Sequence, residues 1–142
     1  MCKPVHHEVE LTAPPKEVYD AYLDSERHSR ITGQSAHMSR KEGAKFDAGD
    51  TYITGYNLAL EPGRRIVQAW RASEWDEGDY SILSLQLRPK GKGTQLIVDH
   101  VGIPDKFRDG VDQGWYEFYW EPMRKYFGED GGSPRAKRRS SR

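Results

Sequence analysis

The chain has 142 residues, of which 35% are hydrophobic and 11% aromatic, so it suits one domain whose core draws heavily on Trp, Tyr and Phe. Net charge is zero but uneven: residues 1–130 carry 17 basic and 22 acidic side chains, a net −5, while residues 131–142 carry +5. A single cysteine, Cys2, excludes an internal disulfide and fits a reducing, cytoplasmic compartment, and neither a signal peptide nor an apolar run of membrane-spanning length is present.

A strand is predicted over 5–12, where Val5, His7, Val9 and Leu11 alternate with His6, Glu8, Glu10 and Thr12. After Pro14 and Pro15, a short helix over 17–23 turns Val18, Tyr19, Tyr22 and Leu23 inward. Asp24 and Ser25 cap a second helical stretch to about Ile31, which Gly33 ends. Residues 34–39 suit a short edge strand and 45–47 a brief one, with turn signals at Glu42-Gly43 and Ala48-Gly49-Asp50. From Asp50 the chain becomes a meander. Over 51–60, Tyr52, Thr54, Tyr56, Leu58 and Leu60 share one side. Glu61-Pro62-Gly63 turns into a strand over 65–71 with Ile66, Gln68 and Trp70 in phase, and an acidic loop over 73–79 surrounds Trp75. Strands over 80–88 and 94–102 present Leu83, Leu85 and Leu87, then Leu96, Val98 and His100, joined by a hairpin turn at 89–93.

The last element is a helix over 109–127. Val111, Trp115, Phe118, Tyr119, Met123, Tyr126 and Phe127 recur at intervals of three and four, one stripe of a helix about 28 Å long. Rings that each bury on the order of 150 Å² need a surface to cover, and the sheet supplies it. Pro122 removes a backbone hydrogen bond and clashes with the carbonyl of Phe118, so a bend is expected there. The element order gives an α+β fold: a curved antiparallel sheet of six to seven strands, two short helices after the first strand, and one long C-terminal helix. A bent helix on a curved sheet leaves a space between them. Residues 131–142 have no apolar anchor and are expected to form a disordered basic tail after a domain over 1–130.

Four signatures occur together: Arg65-Ile-Val-Gln-Ala-Trp-Arg71 with Trp75, Gly93-Thr-Gln-Leu96, His100-Val-Gly-Ile-Pro104, and Gln113-Gly-Trp115 with Tyr119. In this the chain resembles, over roughly 5–128, the C-terminal-type domain of the activator of the 90-kilodalton heat-shock protein ATPase, within the START-like (SRPBCC) superfamily. Gly43-Ala44-Lys45-Phe46 departs from that pattern, where a double glycine is usual, and the basic tail lies outside it. The resemblance implies a helix-grip fold with a cavity between long helix and sheet, and a chaperone protein as a partner.

Candidate site residues follow from strand phase. Gln68 and His100 lie among apolar neighbours, and a buried amide without a partner costs ~1–3 kcal/mol, so each requires an internal hydroxyl, water or a ligand. Trp70, Trp115 and Tyr119 suit either helix-anchoring core or cavity wall, and a wall is core with a void in front of it. Tyr56, Leu58, Leu83, Leu85, Val98 and Met123 complete the expected lining. No catalytic or metal site is assigned. His6 and His7 point to opposite faces of a strand, the acidic loop lacks the ligand order of a calcium loop, and neither a phosphate-binding loop nor a nucleophile elbow occurs. The negative body argues against nucleic acid despite the basic tail. The residues point to a non-enzymatic binding domain for a small apolar or amphipathic molecule, with no cofactor and no membrane. Two other classes stand beside it: a chaperone-binding module, implied by the resemblance, and a cyclase- or hydrolase-like enzyme for which His100 would be the lone titratable group.

Overall fold

The computed structural model describes residues 3–130; the predicted basic tail and Cys2 lie outside them. The strands are β1 (Val5–Leu11), β2 (Lys45–Ala48), β3 (Ile53–Glu61), β4 (Arg65–Ala72), β5 (Ser81–Lys90) and β6 (Gly93–Val101). They form one antiparallel sheet in the order β1-β6-β5-β4-β3-β2. Helices α1 (Pro15–Leu23) and α2 (Ser25–Thr32) follow β1, and Gly33 closes α2 at φ 77° with its N–H on the Ser29 carbonyl. Residues 34–39 add only one bridge, His37 to Asp47, in place of the expected edge strand.

After a short 3₁₀ turn, the chain runs through α3 (Arg108–Trp115), a π segment (Tyr116–Trp120), α4 (Glu121–Lys125) and a second π segment (Tyr126–Asp130). The residues at each junction keep α-region dihedrals, so this is one long helix. Pro122 has no N–H to offer, and just before it the ladder widens: the Glu121 N–H reaches the Tyr116 carbonyl, five residues back. The wide turn brings Trp115 and Trp120 into line, their rings stacked 5.0 Å apart with planes 7° from parallel. The buried stripe is therefore Trp115, Tyr119, Trp120, Met123 and Phe127, while Phe118 is 46% exposed. A uniform helical period does not place Trp120 inside; the π turn does.

The core lies between this helix, α1 and α2 on one side and the sheet on the other. β1, β4, β5 and β6 alternate as expected, burying Val5, His7, Val9, Ile66, Gln68, Trp70, Leu83, Leu85, Leu96, Val98 and His100. β3 is a correction to the sequence-based phase. Its inward residues are Gly55 and Asn57; Tyr56 packs on the outer face 6.2 Å from Tyr80, and Leu58 is 48% exposed. The cause is local. A Cβ at Gly55 would collide with the Ala69 carbonyl and come within 2.9 Å of the Phe46 ring, so a bare α-carbon is required there. Asn57 is held inside by hydrogen bonds, and a bulge between Asn57 and Ala59 then resets the strand.

Candidate binding site

The inward polar residues are all partnered. Trp115 Nε1 donates to His100 Nδ1 (3.1 Å), which places the imidazole proton on Nε2 for Ser81 Oγ (2.7 Å); Ser81 in turn donates to the Trp70 carbonyl (2.8 Å). Burial pushes the His100 pKa down to about 3, so the ring is neutral and the chain of donors keeps one direction. A second chain begins at Tyr119, whose hydroxyl donates to His28 Nε2 (2.9 Å), while His28 Nδ1 donates to the Tyr22 carbonyl (2.8 Å). The Tyr22 hydroxyl donates to Gln68 Oε1 (3.0 Å), and Gln68 Nε2 donates to Asn57 Oδ1 (2.9 Å). Asn57 Nδ2 finishes on the carbonyls of Ser39 and Lys41. Burial raises the pKa of the Tyr22 and Tyr119 hydroxyls and lowers that of His28, which keeps all three neutral. On β1, His7 accepts from Trp120 Nε1 (2.8 Å) and donates to Asp112 (2.5 Å).

The space between helix and sheet lies at one end of their interface. It is a cleft of about 460 Å³ bounded by the start of the long helix, the end of α2, the turn at 49–53, β4 and the acidic loop. Its walls are aromatic. Trp70 faces Trp75 at 5.6 Å and Trp115 at 5.9 Å; Trp75 stacks on Phe107 at 6.1 Å; Trp115 meets Tyr119 at 4.7 Å. Of the expected lining, Trp70, Trp115 and Tyr119 border this cleft. Leu83, Leu85, Val98, Met123, Gln68 and His100 are buried in the closed part of the interface, and Tyr56 and Leu58 are on the far face of the sheet. Gln68 and His100 look inward as their phase requires, but Tyr22, Asn57, Ser81 and Trp115 take their polar atoms.

Three features of the cleft were missed by periodicity. The first is Trp75, in a loop that charge alone marks as solvated; it is 4% exposed. Arg71 holds that loop shut by donating to the carbonyls of Trp75 (2.8 Å), Asp76 (3.1 Å) and Asp79 (3.1 Å). The second is a pair of glycines on the helix, Gly110 and Gly114, four residues apart and both bordering the cleft. Each costs about 1 kcal/mol of helix propensity relative to alanine, and a Cβ at Gly110 would meet nothing within 4 Å. Their spacing on one helical face was the available signal. The third is the rim turn, where Gly49, Asp50 and Thr51 all take positive φ; for β-branched Thr51, at 71°, this is a strained conformation.

The rim carries one charge of each sign, Glu74 and Lys106. Tyr52 is hydrogen-bonded to Glu74, and its pKa is raised by burial first and by that carboxylate second. Thr32 Oγ1 donates locally to backbone carbonyls. The lining thus contains no nucleophile paired with a base. Among the described residues, no group of three or more His, Cys, Asp or Glu side chains is placed to hold a metal ion, and no helix is long and apolar enough to cross a membrane.

Comparison with known proteins agrees with this architecture. Residues 12–128 match the family described as activator of Hsp90 ATPase homolog 1-like protein. The human activator of 90 kDa heat shock protein ATPase homolog 1 is 31% identical over 127 residues, 89% of this chain, and the match spans 37% of that protein's length. The crystal structure of an HSP90 activator from Plasmodium falciparum superposes with a TM-score of 0.82 at 24% identity, covering 88% of this chain and 96% of that one. A Mesorhizobium loti protein superposes at 0.76 and 21% identity, covering 89% and 97%.

Proposed function

Because the chain belongs to the family of activator of Hsp90 ATPase homolog 1-like proteins, we propose that it acts by binding and not by catalysis, receiving a small apolar or amphipathic molecule in the aromatic cleft. The observation that carries this reading is the pair of glycines facing the aromatic wall. A helix whose only task is to cover the sheet gains from side chains at those positions, whereas Gly110 and Gly114 leave an opening within the size range of small-molecule sites. Catalysis is disfavoured because the one candidate base, His100, is neutral, fully partnered and away from the cleft. The test is a fluorescence titration with 1-anilinonaphthalene-8-sulfonate, beside native mass spectrometry for a co-purified molecule. Gly110→Leu should abolish binding while its melting temperature holds or rises. Equal dye binding by both proteins would sink the reading.

A second reading, a co-factor of an Hsp90-type ATPase, is favoured by what the relatives are named for. The outer sheet face offers a surface for such a partner: Val101, Ile82, Ala69 and Tyr56 pair across four strands in one row, with Val101 and Ile82 at 45% and 40% exposure and Tyr80 beside them. The ATPase rate of a purified Hsp90-type chaperone, with and without this chain, tests it. An unchanged rate together with no complex on gel filtration removes this reading.

A further inference from the structure

The cleft contains one unsatisfied donor. Trp75 Nε1 has no hydrogen-bond partner among the described residues, although the side chain is 4% exposed. The other three tryptophan positions show how unusual this is here: Trp115 and Trp120 both donate to a histidine, and Trp70 lies in the same ring cluster. A buried N–H without an acceptor is costly, and a loop free to move would turn it to water. This loop is tied down by the three Arg71 hydrogen bonds, so Trp75 is held in the wall with its donor unused. The surrounding rings, Trp70, Phe107 and Trp115, offer flat faces, and Gly110 and Gly114 leave room for the edge of a further ring. Glu74 and Lys106 at the rim favour neither sign of charge.

Resting on the binding reading above, we infer that the cleft takes a flat, uncharged aromatic molecule whose carbonyl oxygen accepts the Trp75 Nε1–H. The rings supply affinity for the aromatic body, and the indole donor selects among bodies of equal size, since an occupant without an acceptor leaves the N–H buried and unpaired.

Three probes of matched shape separate the parts of this inference: 2-acetylnaphthalene, 2-ethylnaphthalene and 2-naphthoate, titrated calorimetrically into the full chain. The acetyl compound should bind about tenfold tighter than the ethyl compound, the size expected for satisfying one buried donor. Trp75→Phe keeps a ring and removes the N–H; in it the two affinities should converge. Gly110→Leu should lose both. In the wild type, the Trp75 indole proton should shift downfield in NMR with the acetyl compound and not with the ethyl compound, a readout that stands even if Trp75→Phe folds poorly. Equal affinities in the wild type, or a ratio that survives in Trp75→Phe, would overturn the acceptor assignment while the cleft reading survives. Tighter binding of 2-naphthoate would overturn the uncharged clause. Failure of all three probes to bind the wild type overturns the inference and the cleft reading together.

Discussion

The two ends of the helix–sheet interface are built from the same residue types and differ in how they are finished. At the closed end every inward polar group has its partner: His100 with Trp115 and Ser81, Gln68 with Tyr22 and Asn57, His7 with Trp120 and Asp112. At the open end two helix positions lack side chains, a ring is half-exposed at Phe118, and the Trp75 donor is unpaired. The contrast teaches that polarity beneath an apolar helix marks structure as readily as it marks a site. A missing side chain and an unused donor are the better signs of a place meant for something else.

The largest effect that probes this contrast is expected from Gln68→Leu. It leaves the Tyr22 hydroxyl and Asn57 Oδ1 buried without partners, at about 1–3 kcal/mol for each group. Urea unfolding should show that loss, while dye binding in the cleft stays unchanged. A variant as stable as wild type but unable to bind would move Gln68 into the site and dissolve the distinction between the two ends.

Acid should weaken the closed end next. Folded His100 titrates at about 3 and His28 below its ordinary value, whereas an unfolded imidazole titrates near 6.5. The unfolded chain therefore binds more protons between those values. Stability is full above about pH 6.5 and falls as pH drops below it, by about 1.4 kcal/mol per pH unit from His100 alone. Melting temperatures at pH 7, 6 and 5 measure the slope. His100→Gln can keep both hydrogen bonds without titrating and should flatten it; the same slope in that variant would show that His100 is not its source.

The smallest effect has the opposite sign. Gly110→Ala should stabilise the fold by roughly 0.5–1 kcal/mol, since the new methyl meets no neighbour and the helix gains propensity. A loss of stability in thermal unfolding would mean that Gly110 serves packing, and the argument from bare helix positions would fail.

Amino-acid order alone determined the element types and most strand faces, because period-two alternation on β1, β4, β5 and β6 and the aromatic stripe of the helix are local patterns. It also marked Gln68 and His100 as inward, since phase follows from neighbours along a single strand. Whether those side chains meet each other or a ligand depends on Tyr22, Asn57, Ser81 and Trp115, which lie from 11 to 46 residues away along the chain. Only tertiary structure decided that. It also decided the face of β3, where contact with Ala69 and Phe46 demanded Gly55 inside and sent Tyr56 and Leu58 out. The position of the cleft was decided in the same way: Trp75 comes from a loop, Trp70 from a strand, and Phe107 and Gly110 from the start of the helix, and no periodicity connects segments that meet only once the chain has folded.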